Sequence, residues 1–90
     1  MKDKIYIEGL LRHDKKILEN IYKNFSKRIE IHIVKNGGTV EDARDTFQDA
    51  LMVIYNKSQS KDFELTSQFY TYLFGIVRFI WIRKSQRSHH

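Results

Sequence analysis

Residues 39–57 read Thr-Val-Glu-Asp-Ala-Arg-Asp-Thr-Phe-Gln-Asp-Ala-Leu-Met-Val-Ile-Tyr-Asn-Lys, and this stretch separates two surfaces of one helix. At about 100° per residue, the apolar side chains share one side, namely Val40, Ala43, Phe47, Ala50, Leu51 and Ile54. The opposite side is acidic and polar, with Asp45, Gln48, Asp49 and Met52 at its centre and Glu41 and Asp42 flanking them. Such a face is unusual in a chain of net charge +5, and we expect it to dock on a basic partner.

The composition sets outer limits on the class of protein. Ninety residues predict one domain, over residues 1–90, with a modest core. A hydrophobic content of 41% favours a folded chain over a disordered one. The absence of cysteine excludes disulfides and thiolate metal sites. No apolar run approaches the roughly 18 residues of a membrane span, and the charged start is unlike a signal peptide. We therefore expect a cytoplasmic protein without membrane insertion.

The hydrophobic spacing predicts an all-α fold, a small bundle of four helices. The first helix should run from about Asp3 to Arg12, with apolar contributions from Ile5, Leu10 and Leu11. The second should start near Asp14 as its N-cap and end at the glycine pair 37–38, where glycine supplies a left-handed cap. Its apolar positions at helical spacing are Ile17, Leu18, Ile21, Tyr22, Phe25, Ile29 and Ile33.

The third and fourth helices are separated by a polar segment. Thr39 should cap the third helix, with Asp42 three residues later in a capping-box arrangement. The segment from Asn56 to Thr66 is predicted to be a loop, and the fourth helix to begin near Thr66 or Ser67 and reach Lys84 or beyond. Its expected core stripe consists of Phe69, Leu73, Ile76, Val77 and Ile80.

A second, aromatic stripe on the fourth helix has two interpretations. It consists of Tyr70, Phe74 and Trp81, and Arg78 borders it. Aromatic rings beside arginines hold unstacked bases, at about 1–3 kcal/mol per base. The same rings could instead pack under the first helix, and the sequence leaves both interpretations open.

The charges are unevenly distributed along the chain. Residues 65–90 contain no acid, and their strong charges are Arg78, Arg83, Lys84 and Arg87. This basic end and a pI near 9.6 favour a polyanion such as nucleic acid as a partner. His13 and His32 lack ligand-like companions, and no catalytic constellation or phosphate-binding loop is present. We expect neither an enzyme nor a cofactor.

Two motifs in this order resemble region 2 of the extracytoplasmic-function group of bacterial sigma factors. The first is Asp-Ala-Arg-Asp-Thr-Phe-Gln-Asp-Ala at residues 42–50, and the second is Phe-Tyr-Thr-Tyr-Leu-Phe-Gly-Ile-Val-Arg at residues 69–78. The family pattern is an acid-rich Asp-x-x-Gln-Glu helix, followed by Phe-x-x-Trp-Leu-x-x-Ile-Ala and a basic tail. The resemblance covers nearly the whole chain and implies a module of transcription initiation that binds without chemistry.

The resemblance also implies site residues. In the family, the acid-rich helix binds the clamp helices of the RNA polymerase beta-prime subunit, which assigns polymerase binding to Asp45, Gln48 and Asp49, with Asp42 and Met52 at the edge. The following loop and helix engage the promoter −10 element as single-stranded DNA. The residues that this implies for DNA binding are Lys57, Lys61, Phe63, Tyr70, Phe74, Arg78, Trp81, Arg83, Lys84 and Arg87. An anti-sigma factor is a further partner that the family would allow.

Several positions depart from the family pattern. Tyr72 occupies the position where the family usually has Trp, and Asp49 replaces the usual Glu. Phe79 replaces a frequent Asn, and Gly75 replaces a commonly basic residue. The chain ends at His90, so the helix-turn-helix that reads the −35 element is not expected in it.

Two alternative functions stay open. One is a sigma-like module that binds polymerase or an anti-sigma factor without reading promoters, and the other is an unrelated small basic helical DNA-binding protein.

Overall fold

The computed structural model describes residues 3–87, which form four α-helices and no strand. The helices are α1 (Lys4–Arg12), α2 (Lys15–Lys35), α3 (Val40–Ser58) and α4 (Phe69–Arg87). The predicted all-α bundle is confirmed. Helix α3 contacts each of the other three helices, and α2 also packs against α1 and α4. Within residues 3–87, no helix has the length and apolar character needed to cross a membrane.

Helix α1 turns into α2 through a two-residue corner. His13 adopts a left-handed conformation with φ 56°, and the Asp14 carboxylate accepts hydrogen bonds from the N–H groups of Lys16 and Ile17 at 3.0 and 3.4 Å. Asp14 is therefore the N-cap of α2, as the sequence predicted.

The inward face of α1 differs from the prediction. Ile5 and Leu11 are 52% and 36% exposed, whereas Ile7 and Leu10 are buried against α2 and α3. Of the three expected apolar contributors, only Leu10 enters the core. The packing of α1 on two neighbouring helices selects this face, and a nine-residue helix is too short for its own periodicity to do so.

The turn between α2 and α3 follows from its glycines. Gly37 has φ 93°, and the N–H of Gly38 donates to the carbonyl of Ile33 at 2.9 Å. The N–H of Gly37 donates to the carbonyl of Val34, which completes a Schellman cap. The prediction that α2 ends at this glycine pair is confirmed. Glycine is favoured at position 37 because any other side chain would be strained in a left-handed conformation.

Helix α3 begins with the predicted capping box. The Thr39 hydroxyl accepts from the N–H of Asp42 at 3.0 Å, and the Asp42 carboxylate accepts from the N–H of Thr39 at 2.9 Å. Val40 was expected on the apolar side but is 50% exposed, because it occupies the first position of the helix, beyond the reach of the core. The other five apolar positions predicted for α3 are buried, namely Ala43, Phe47, Ala50, Leu51 and Ile54.

The connection between α3 and α4 is shifted from its predicted position. Helix α3 continues to Ser58, whose hydroxyl donates to the carbonyl of Tyr55 at 3.0 Å. Helix α4 starts at Phe69, two to three residues later than expected. The N–H of Phe69 donates to the carboxylate of Asp3 at 2.6 Å. An acid at the other end of the chain therefore takes the place of a local cap at the start of α4.

Two polar residues of α3 are buried, Thr46 and Ser58, and the predicted apolar side of the helix did not include Thr46. Thr46 is fully buried, and its hydroxyl has no hydrogen-bond partner among the described residues. A buried hydroxyl that forms no hydrogen bond costs about 1–3 kcal/mol. Valine has nearly the same shape and carries no such penalty.

We therefore expect Thr46→Val to raise the free energy of unfolding by about 1 kcal/mol. Urea unfolding followed by circular dichroism measures this change. Thr71→Val is the matched control, because Thr71 is exposed on α4 and the same substitution there should leave stability nearly unchanged. A loss of stability in Thr46→Val would show that the hydroxyl has a bonding partner after all.

Candidate functional site

The residues predicted to bind polymerase lie together on the outer side of α3. We call this surface the acidic face and define it as Asp42, Asp45, Gln48, Asp49 and Met52. Four of them are exposed, Asp42 is half-buried, and Met52 exposes 61% of its surface. The buried side of α3 points toward the other helices, so the same periodicity that fills the core directs these side chains outward.

Two carboxylates of the acidic face are already engaged within the domain. Asp42 accepts from the N–H of Thr39 in the capping box, and Asp49 forms an ion pair with the Lys84 ammonium at 3.0 Å. The Asp49–Lys84 pair is largely exposed, so it contributes at most about 1 kcal/mol. Among the described side chains, Asp45 and Gln48 have no such partner.

An apolar cleft of about 300 Å³ adjoins the acidic face between α3 and the α1–α2 corner. Leu18, Tyr22 and Tyr55 contribute to its walls, and Gln48 and Met52 stand at its edge. A partner that presents basic side chains to the carboxylates could insert an apolar side chain here. No sequence pattern predicted this cleft, because its walls come from three helices.

The basic residues predicted to bind DNA do not form one surface. Arg78 lies on the side of α4 that faces α2, whereas Arg83 and Lys84 line a groove between α4 and α3. Arg78 and Arg83 are five residues apart, which separates them by about 140° around the helix axis. The side chain of Arg87 and residues 88–90 lie outside the described part of the chain.

The aromatic stripe of α4 packs against α2, not under α1. The Tyr70 ring stacks on Phe25 with centroids 5.4 Å apart, and the Arg28 guanidinium lies 5.2 Å above the Tyr70 ring. The Phe74 ring meets His32 edge-on at 4.8 Å. These two rings therefore serve as packing elements of the α2–α4 contact.

Trp81 is buried at the α2–α3 turn. It is 9% exposed, and its indole N–H donates to the carbonyl of Asn36 at 3.3 Å. A Cβ atom at Gly38 would lie 2.7 Å from the Trp81 ring. In this arrangement the indole offers no open face for a base to stack on.

The remaining residues predicted for DNA contact lie near the α3–α4 loop. Lys57 belongs to the last turn of α3 and lines the same groove as Arg83. Lys61 is exposed in the loop, and the half-buried Phe63 ring lies 5.9 Å from that of Tyr72. Burial raises the pKa of the Tyr72 hydroxyl. The structure thus places Lys57 in the same groove as Arg83 and Lys84 but toward its opposite end, and it brings Phe63 together with Tyr72.

The sequence reasoning missed the contribution of α2 to this surface. Arg28 and His32 flank the aromatic stripe, and the spacing of Phe25, Arg28 and His32 at i, i+3 and i+7 was the available signal. The pKa of His32 is lowered from 6.5 by burial and, secondarily, by the positive charge of Arg78. His32 therefore favours its neutral form near Arg78.

No protein-family model, curated protein or solved structure matches this chain. The resemblance to sigma region 2 therefore stays a prediction. Within residues 3–87, no group of three histidines, acids or cysteines is placed to hold a metal ion.

The effect of the Arg78 charge on His32 gives a testable pH dependence. Because the folded pKa of His32 lies below 6.5, the unfolded chain binds the proton first, and stability falls as the pH is lowered through 6.5. In Arg78→Gln the pKa of His32 should rise but stay below 6.5, since burial is the larger cause. The acid-induced loss of stability should shrink accordingly.

Titration of the His32 ring protons by NMR measures the pKa directly. Arg83→Gln is the matched control, because it removes the same charge from the other flank of α4 and should leave the His32 pKa unchanged. An identical His32 pKa in the wild type and in Arg78→Gln would contradict the assigned electrostatic cause.

Proposed function

We propose that this domain is a docking module of bacterial transcription initiation, similar to region 2 of an extracytoplasmic-function sigma factor. The observation that carries the proposal is the acidic face of α3, where Asp45, Gln48 and Met52 are exposed together beside an apolar cleft. The proposed partner is a basic helical surface of the RNA polymerase beta-prime subunit. The module acts by binding and positioning, and no catalytic step is involved.

The chemistry of the acidic face suits such a partner. Exposed carboxylates steer a positively charged surface into contact and accept charge-assisted hydrogen bonds from arginine. Met52 is unbranched and polarizable, so it can adapt to an apolar side chain of the partner. The cleft between α3 and the α1–α2 corner would receive a second apolar anchor.

Promoter DNA is the second partner in this proposal. Support comes from the net charge of +5 and from Lys57 and Lys61, which extend the basic surface toward the loop. The aromatic stripe of Tyr70, Phe74 and Trp81 packs inside the domain, so bases would stack on a more exposed ring. Phe79 is 61% exposed, and the Arg83 guanidinium lies 5.6 Å from its ring centroid.

The packing of the aromatic stripe favours a second candidate function. In it the domain is a sigma-like interaction module that binds polymerase or an anti-sigma factor without reading promoters. The buried Trp81 and the Tyr70–Phe25 stack leave few rings for bases. An unrelated basic helical DNA-binding protein is the third candidate, and it would make no use of the acidic face.

Charge reversal on the acidic face tests polymerase docking. Asp45→Lys should weaken binding to RNA polymerase core enzyme about tenfold or more, because the new ammonium repels a basic partner surface. Glu8→Lys is the matched control, since Glu8 is exposed on α1 and the net-charge change is identical. Fluorescence anisotropy of the labelled domain measures both affinities. Equal affinities of Asp45→Lys and the wild type would exclude polymerase docking through this face.

Titration with a single-stranded −10 oligonucleotide separates the first two candidates. If the domain reads promoters, it should bind the oligonucleotide at low salt and lose affinity steeply as salt is added, with a log–log slope of about −0.7 per phosphate contact. Arg83→Gln should reduce both the affinity and the slope. Polymerase binding without any oligonucleotide binding at low salt would favour the interaction module.

A further inference from the structure

A groove of about 530 Å³ lies between α3 and α4. Its floor is aliphatic, formed by Val53 of α3 together with Ile76 and Ile80 of α4. Phe79 stands at its rim and exposes 61% of its surface. Branched aliphatic side chains at the base of an open groove favour apolar side chains as ligands.

Gly75 contributes a bare stretch of backbone to this groove. A Cβ atom at this position would meet no heavy atom within 4 Å, and the residue has no left-handed conformation. The fold therefore does not require glycine here, although glycine weakens a helix interior relative to alanine. Glycine at this position leaves the space above the helix backbone empty, which suits a site where the backbone of a ligand approaches closely.

The charges around the groove are positive. Lys57 lies at one end, and Arg83 and Lys84 lie toward the other, while no lining residue is acidic. Lys84 is paired with Asp49, whereas Lys57 and Arg83 form no ion pair among the described side chains. A ligand with carboxylates at both ends of an apolar stripe would complement this arrangement.

We propose that this groove binds an acidic amphipathic helix of a protein partner. Apolar side chains at i, i+3 or i+4, and i+7 would fill the floor between Val53 and Ile76, with the partner backbone passing over Gly75. Carboxylates on its flanks would pair with Lys57 and Arg83. The stretch of α4 from Gly75 to Lys84 spans about 14 Å, which is long enough for anchors at i and i+7, about 10.5 Å apart along a helix.

Single-stranded nucleic acid fits this groove less well. Bases stack on exposed aromatic rings, and the floor has none. The one ring among the lining residues, Phe79, stands at the rim, so the groove offers a single stacking position. The inference goes beyond the proposed function, because its ligand is an acidic protein helix and not polymerase or promoter DNA, although the groove shares Lys57 and Arg83 with the basic surface proposed for DNA.

The test uses the full chain and a synthetic helical peptide of about four turns, with leucines at i, i+3 and i+7 flanked by glutamates. The peptide should bind in a fluorescence anisotropy titration and shift the Gly75 amide resonance in an NMR spectrum. A scrambled peptide of the same composition should do neither. Equal binding of the scrambled peptide would overturn the proposal, since net charge alone would then explain the affinity.

Two substitutions locate the binding. Gly75→Gln should raise the melting temperature by a few degrees, because it improves helix propensity. It should also weaken peptide binding about tenfold, because its side chain occupies the space that the partner backbone needs. Lys57→Glu should also weaken binding about tenfold. The controls are Asn20→Ala, which improves helix propensity on the exposed surface of α2, and Lys23→Glu, which makes the same charge change there.

The opposite effects on stability and binding make Gly75→Gln decisive. A variant that is more stable and binds the peptide as tightly as the wild type would overturn the proposal. A shift of the Gly75 resonance by oligothymidine, without any shift by the peptide, would also overturn it and assign the groove to nucleic acid. Because no polymerase enters this titration, its failure would leave the test of Asp45 unaffected.

Discussion

The burial of one side of α3 against the other three helices is the constraint on which the rest of the structure depends. Phe47 is 2% exposed and stacks on Tyr22 at 4.8 Å with nearly parallel rings, and Ala50 and Ile54 are fully buried. A helix of 3.6 residues per turn that buries these positions must direct Asp45 and Gln48 outward. The acidic face therefore follows from the core, and its residues share one surface because the core residues share the other.

Two hydrogen bonds between distant parts of the chain add to the packing of α4 on α3 and α2. Asp3 caps the start of α4 at Phe69, and Trp81 donates to Asn36 near its end, across 66 and 45 residues respectively. The aromatic side chains of α4 therefore serve mainly to attach this helix to α2 and to the α2–α3 turn. This explains why an apolar helix with two stripes does not present both to a ligand. What remains open on α4 is the flank beside α3, where Phe79 and Arg83 lie.

Local interactions made much of the fold predictable from the sequence, while contacts between helices decided the rest. The caps at Asp14, Gly37 and Thr39 depend on residues within five positions of each other, and all three were predicted correctly. The exposure of Ile5 and the packing of Tyr70 on α2 depend on how helices meet, which periodicity does not encode. The same limit applies to the candidate site. The exposure of the acidic face was predictable, but the groove at Gly75 required the structure.

The ion pair between Asp49 and Lys84 connects the two proposed binding surfaces. An arginine of a partner docking on the acidic face can replace Lys84, because a bidentate guanidinium–carboxylate contact is stronger than an exposed ammonium pair worth at most about 1 kcal/mol. The displaced ammonium would remain at the groove between α3 and α4, where it adds a cation for an acidic ligand. Occupation of the acidic face should therefore increase the affinity of the groove for acidic helices. By linkage, an acidic helix that pairs with Lys84 would equally favour docking at Asp49.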